Sequence, residues 1–180
     1  KSTYATHYFP ETRNDYRSFP TLTWVTDTLI PELKKTYGIF SGKINILYGI
    51  STGARGAALV HLRTGKLFQK VILLSGDYDQ TRNHKDKLMI NTYGSFADFP
   101  SRWKTTDNPM NEIQGWSAET YIAHGFNDKV VHPEYSSSFA DSLKKLHPAL
   151  HIELHLDSMA GHDFGYWESH TTQILEFLKK

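Results

Sequence analysis

The chain has no cysteine. That excludes disulfides, thiolate catalysis and cysteine-ligated zinc. The same absence suits an exported protein, periplasmic or secreted, but many cytosolic chains share it, so the compartment stays open. An excess of either charge is also missing. Lys and Arg total 20 against 19 Asp and Glu, a net charge of +1, so nothing draws the chain electrostatically to nucleic acid or to a membrane surface. The basic residues cluster only as short pairs, Lys34-Lys35 and Lys144-Lys145, which read as solvated helix faces. No apolar run is long enough to span a bilayer, no signal peptide is visible, and there is neither repeat nor low-complexity tract. The chain opens on Lys1 rather than methionine, so residues upstream are expected to have been removed or left out.

What is present fits one globular domain. Of the 180 residues, 39% are apolar and 13% aromatic, enough for a single packed core. Residues 1–20 are polar and aromatic and read as a loop leading into a helix. The apolar positions Leu22, Val25, Leu29, Ile30, Leu33 and Tyr37 fall at helical spacing, with Pro31 kinking or restarting the helix and Gly38 ending it. Ile44 to Tyr48 reads as a buried strand, followed by a helix rich in small residues: Gly53, Ala54, Gly56, Ala57 and Ala58. Val71 to Leu74, Thr120 to Ala123 and Ile152 to Leu156 read as three more strands. Pro133 opens a helix with Tyr135, Phe139, Leu143 and Leu146 inward, and Ile174, Leu175, Phe177 and Leu178 stripe a terminal helix. Strands alternating with helices predict an α/β fold, a parallel sheet with helices on both faces. Residues 77–116 break this rhythm as an irregular, aromatic-rich excursion with one or two short helices, the kind of segment that often serves function.

Gly49-Ile50-Ser51-Thr52-Gly53 has the pattern of a nucleophile elbow. A serine between strand and helix must sit on a very tight turn, and glycines two residues to either side let strand and helix approach. The turn lifts the hydroxyl above the sheet and aims the Thr52 N–H at a developing oxyanion. A serine nucleophile needs a base, and the base an orienting carboxylate, in the chain order Ser, Asp, His. Asp128 lies just past the end of the third strand and His162 on the loop after the fourth, both at the edge where catalytic groups gather. Ser51, Asp128 and His162 are therefore the expected triad, with Thr52 in the oxyanion hole. Asp163 adjoins His162, but a neighbouring side chain usually points elsewhere; Asp107, Asp141 and Asp157 read as turn, helix-surface and strand-end residues. His147, His151 and His155 carry no carboxylate–histidine motif of known ligand spacing, so no metal and no cofactor is expected.

These residues resemble the esterase D-like family of the α/β-hydrolase superfamily, which includes S-formylglutathione hydrolase, feruloyl and tributyrin esterases and mycolyltransferases. The segment from Phe19 to Tyr37 with its Leu29-Ile30-Pro31 core, the elbow running on to Ala57, the acid loop His124-Gly125-Phe126-Asn127-Asp128, and the histidine loop Gly161-His162-Asp163-Phe164-Gly165-Tyr166-Trp167 carry the likeness. The chain departs from the family in having Thr52-Gly53-Ala54 where a Met-Gly-Gly run follows the serine. The family's first strands and its other oxyanion donor have no counterpart from Lys1 onward. The resemblance implies an α/β-hydrolase fold lacking its N-terminal strands, and hydrolysis of a small-molecule carboxylic ester through an acyl-enzyme. Either a complementing N-terminal polypeptide or a second copy of the chain would cover the open sheet edge. Acyl transfer on the same triad is the alternative, and a non-catalytic binding module a third; a peptidase of the same superfamily fits the esterase-like histidine loop less well. Tyr78 and Trp116, at the two ends of the excursion, are the expected substrate-binding residues, unless the aromatics of the excursion fill a satellite core instead.

Overall fold

The computed structural model describes residues 21–42, 44–105 and 107–180. The loop expected over residues 1–20 lies outside them. Among the described residues four strands form one parallel sheet in the order β1-β2-β3-β4: β1 Ile46–Ile50, β2 Lys70–Leu74, β3 Glu119–Gly125 and β4 Ile152–Asp157. Each falls on an expected run, shifted by one or two residues at its ends. The offset is largest in β1, which begins at Ile46 because pairing starts there, opposite Lys70.

β2 is buried at every position and apolar from Val71 onward, and its alternation divides the core in two. Val71 and Leu73 point into one layer with Ala54, Ala57 and Ala58 of α3 (Thr52–Thr64) and Phe139, Ala140 and Leu143 of α6 (Glu134–Leu146). Ile72 and Leu74 point into the other with Tyr166 and Trp167 of α7 (Phe164–Ser169) and Ile174 and Phe177 of α8 (Thr171–Lys179). A central strand covered on both faces has no polar side to show, which is why it reads as a continuous apolar run. Leu146, expected inward, is 45% exposed at the last position of α6.

The N-terminal helix passes Pro31 as anticipated. α1 (Thr21–Trp24) widens into a π-turn over Val25–Leu29 and continues as α2 (Ile30–Tyr37), with the Ile30 N–H reaching back to the Val25 carbonyl. Proline has no N–H and its ring crowds the preceding turn, so a wider turn admits it without ending the helix. Leu22 buries against Leu59, Val60 and Phe68, fixing this helix to the outer side of α3. Leu47 of the edge strand β1 joins the same cluster, but the strand is not buried as expected: Ile46 and Tyr48 stay 42% and 50% exposed.

The excursion is ordered into α4 (Lys87–Tyr93), α5 (Pro100–Lys104) and two 3-10 turns, Gln80–Arg82 and Ile113–Gly115. Met89, Tyr93 and Trp103 form a small core of its own. Arg55, buried on α3, ties the excursion to the sheet layer by donating to the Tyr93 hydroxyl (3.1 Å) and the Asp107 carbonyl. Among the described residues no helix is long and apolar enough to cross a membrane.

Candidate active site

Ser51 sits between β1 and α3 with φ 55° and ψ −123°, a conformation that costs a non-glycine residue on the order of 1–3 kcal/mol and persists only where surroundings impose it. The imposition is visible. The Ser51 N–H is held by the Leu74 carbonyl at 2.8 Å, and its own carbonyl already accepts from Ala54 N at 2.9 Å in the first turn of α3. The two elbow glycines are not equivalent. A Cβ on Gly49 would lie 2.6 Å from Ala54 Cα, backbone against backbone, whereas a Cβ on Gly53 would meet nothing within 4 Å. Close approach of strand and helix thus depends on Gly49 alone. Thr52 is the first residue of α3, where a backbone N–H has no partner within the helix and points outward with the positive end of the helix dipole.

The three residues expected to act together converge. His162 Nε2 lies 3.0 Å from Ser51 Oγ, and His162 Nδ1 lies 2.6 Å from Asp128 Oδ2. The acid and histidine loops are laced to one another. Phe126 N donates to the Asp157 carbonyl (2.8 Å), Asn127 N to Ala160 O (2.9 Å) and Asn127 Nδ2 to Ser158 O (2.8 Å). Gly125 permits this, since a Cβ there would fall 2.7 Å from the Gly161 carbonyl oxygen. Trp167 stands edge-on to the His162 ring at 5.1 Å and is itself fixed by donating to Ser75 Oγ at 3.0 Å.

Asp128 accepts four hydrogen bonds. Val130 N and Val131 N donate to Oδ1, both at 2.8 Å, while His162 and His124 (Nε2, 3.1 Å) share Oδ2. Burial pushes this carboxyl up, but the hydrogen bonds from Val131, His162 and Val130 outweigh it and leave the group below the usual carboxylate value. His124 is a site residue that sequence reasoning missed. It is fully buried at the end of β3; its Nε2 faces the Val131 carbonyl (2.9 Å) as well as Asp128, and its Nδ1 meets Ser136 Oγ at 2.7 Å. Two acceptors at Nε2 put the proton there, so the Ser136 hydroxyl donates to Nδ1. Burial lowers the His124 pKa, which keeps the ring neutral in this role. The available signal was its place four residues before Asp128 on a buried strand.

Asp163, set aside from the sequence, caps α7 by accepting from Tyr166 N at 2.9 Å. Asp157 accepts from His170 Nε2 at 2.9 Å. His151 and His155 flank Glu153, at 2.6 and 3.2 Å, on the exposed edge strand. Among the described residues no group of three or more His, Asp or Glu could hold a metal.

The substrate-binding expectation for Tyr78 and Trp116 is corrected. Tyr78 is fully buried and stacks on Phe139 with ring centroids 4.4 Å apart. Trp116 is 3% exposed, and its Nε1 donates to the Ala118 carbonyl (3.0 Å) and Thr120 Oγ1 (2.9 Å). Each lies where the excursion joins the sheet, and that junction needs large apolar side chains beneath it. Tyr78 and Trp116 therefore belong to the main core, and the satellite core raised as the alternative is formed by Met89, Tyr93 and Trp103. The excursion still walls the cleft beside Ser51, but with Asp77, Gln80, Asn83, Asp86, Leu88 and Met89; Val130, Val131, His132 and Tyr135 stand opposite, enclosing about 240 Å³.

A strained serine turn, a parallel sheet with helices on both faces and a Ser–His–Asp relay in that chain order define the α/β-hydrolase class of serine hydrolases. Residues 30–180 match the prolyl oligopeptidase family, peptidase S9, and the chain belongs to that family. The α/β-hydrolase likeness expected from the sequence stands, while the family shown is this one and not the narrower esterase D-like group. No curated protein matched the chain in sequence. Similar solved structures include the acylaminoacyl peptidase of Pyrococcus horikoshii, 17% identical with a TM-score of 0.72 over 94% of this chain and 31% of that one. Dipeptidyl peptidase 4 of Porphyromonas gingivalis is 15% identical, TM-score 0.64, over 74% of this chain and 19% of that one. Est1E of Butyrivibrio proteoclasticus is 15% identical, TM-score 0.61, over 88% of this chain and 71% of that one. At such identities the likeness is one of fold, and the chain spans less than a third of either peptidase.

Proposed function

We propose that the chain carries the catalytic centre of a serine hydrolase that cleaves peptide or ester acyl bonds, with Ser51 as nucleophile, His162 as base and Asp128 as the residue that orients it. The observation that carries this reading is the unbroken relay from Ser51 Oγ through His162 (3.0 Å) to Asp128 (2.6 Å) on a strained turn. Peptide bonds come first because of the family; esters follow, since an acyl-enzyme forms from either.

The chemistry runs as follows. Ser51 Oγ attacks the acyl carbon while its proton passes to His162 Nε2. The new oxyanion is met by the Thr52 N–H at the start of α3. Asp128 stabilises the imidazolium and keeps Nδ1 protonated, and His124 holds Asp128 from behind. Collapse of the tetrahedral intermediate expels the amine or alcohol with the proton from His162, and water then repeats the sequence to release the acid. The test is labelling with a fluorophosphonate followed by peptide mapping. Label on Ser51 that disappears in Ser51→Ala is the expected result; label elsewhere with Ser51 untouched would refute it. Turnover of aminoacyl p-nitroanilides against p-nitrophenyl esters then ranks the two bond types.

A further inference from the structure

We propose that the cleft beside Ser51 is a specificity pocket for a cationic side chain, lysine- or arginine-like, received by Asp77, Asp86 and Gln80; the inference rests on the serine-hydrolase reading above. The argument starts from Gln80. Gln80 lines the cleft and is 2% exposed, and among the described residues neither Oε1 nor Nε2 has a hydrogen-bond partner. Buried polar groups are nearly always satisfied, so an unsatisfied carboxamide in the wall of a cleft points to a ligand that completes it.

The groups around Gln80 set the chemistry of that ligand. Asp77 and Asp86 line the same cleft, and ionised carboxylates only accept hydrogen bonds. Both of the Asp86 bonds, from Leu88 N (2.8 Å) and Met89 N (3.1 Å), fall on Oδ1. Among the described residues Asp77 faces the cation Arg55, whose Nη1 lies 3.8 Å from Oδ2, too far for a direct hydrogen bond. Burial raises the Asp77 carboxyl above its usual value, and Asp86 raises it further, against the pull of Arg55; a cation seated between the two carboxylates would relieve both effects. An ammonium or guanidinium brings donors only, which suits this surplus of acceptors. Leu88, Met89 and Tyr135 supply an apolar wall for the methylene stem. The principal opposing charge is Arg55, buried behind Asp77 and already paired with it at 3.8 Å, so Asp86 supplies the charge left for a ligand. His132 lines the rim, and Arg82 lies over Tyr135 at 5.3 Å but also faces Glu134 at 3.7 Å.

The experiment compares lysine with its uncharged analogue norleucine in two readouts. Hydrolysis of Nα-acetyl-lysine and Nα-acetyl-norleucine methyl esters gives the ratio of kcat/KM. Calorimetric binding of the matching methylamides to the Ser51→Ala chain reads the pocket without turnover. The expected preference for lysine is on the order of tenfold or more in both, as a charge-assisted hydrogen bond predicts, falling toward parity in Asp86→Asn and in Gln80→Leu. Asparagine still caps α4, so Asp86→Asn removes charge without removing the cap. Equal binding of the two amides, or norleucine ester cleaved as fast as lysine ester, overturns the proposal. Preferential lysine binding with no turnover of either ester leaves the pocket standing and refutes the hydrolase reading instead.

Discussion

Replacing Asp128 by asparagine tests the site most severely, because four N–H groups converge on that one carboxylate. Asparagine is nearly the same shape but offers a single acceptor atom and two donors. If its carbonyl stays on the amides of Val130 and Val131, the NH2 group confronts the N–H groups of His162 and His124. His162 escapes by moving its proton to Nε2, but that tautomer cannot take the Ser51 proton. His124 cannot escape as simply, because its Nε2 proton also serves the Val131 carbonyl. The reasoning gives two consequences of different size. The wrong His162 tautomer lowers kcat by ~10⁴, or ~5.4 kcal/mol of barrier. The unsatisfied buried donors cost about 1–3 kcal/mol of stability. Steady-state hydrolysis of an activated aminoacyl ester reads the first and urea unfolding the second. The low-pH limb should change too. The depressed Asp128 carboxyl contributes stability in full above its unfolded value and loses it as pH falls through the folded one, so that part of the acid limb disappears in the variant. An Asp128→Asn chain that keeps kcat within tenfold of the parent would show that the carboxylate is not what orients His162.

Three further outcomes follow from the same structure. Trp116→Ala should lose about 3–5 kcal/mol of stability, as a buried indole does, with acyl preference unchanged; altered preference at undiminished stability would return Trp116 to the pocket. His61 is buried with Ser117 N donating to its Nε2 at 3.1 Å, and burial lowers its pKa to about 4. The unfolded chain therefore binds this proton first, and roughly 3 kcal/mol of stability present above pH ~6.5 should be lost as pH falls toward 4; His61→Gln should flatten that stretch of the stability–pH curve. Gly49→Ala should destabilise by about 1–3 kcal/mol or more by forcing β1 from α3, while Gly53→Ala should be neutral or slightly stabilising; equal effects in paired thermal melts would refute the clearance argument.

Much of this protein was legible in order along the chain. The central strands β2 and β3 were announced by apolar runs because parallel strands buried on both faces have no polar side to disguise them. β4 was announced by the alternation of apolar residues with His and Glu expected of a half-covered edge. The convergence of Ser51, Asp128 and His162 was legible because each stands past a strand end, and in a parallel sheet all such ends lie on one edge. Even the passage of the helix through Pro31 followed from local sterics. The finer family was not legible: the elbow and histidine loop are shared widely among α/β-hydrolases, and only the match over residues 30–180 separated peptidase S9 from the esterase D-like reading.

Tertiary structure decided what depends on which surface each side chain faces across a large sequence separation. Tyr78 and Trp116 had the composition of pocket residues, but an aperiodic segment carries no pattern that says which aromatics face a cleft and which fill the junction beneath it. Burial against Phe139 and Thr120 settled that they are core. The cleft wall fell instead to polar residues, Asp77, Gln80, Asn83 and Asp86, which in sequence look like ordinary turn formers. His124 was hidden for a related reason. On a buried strand a lone histidine reads as a satisfied core residue, and only the fold of the loop that follows returns Asp128 and Val131 to its ring. Periodicity encodes which face of an element is buried; the partner that face meets is set by packing between segments far apart in the chain.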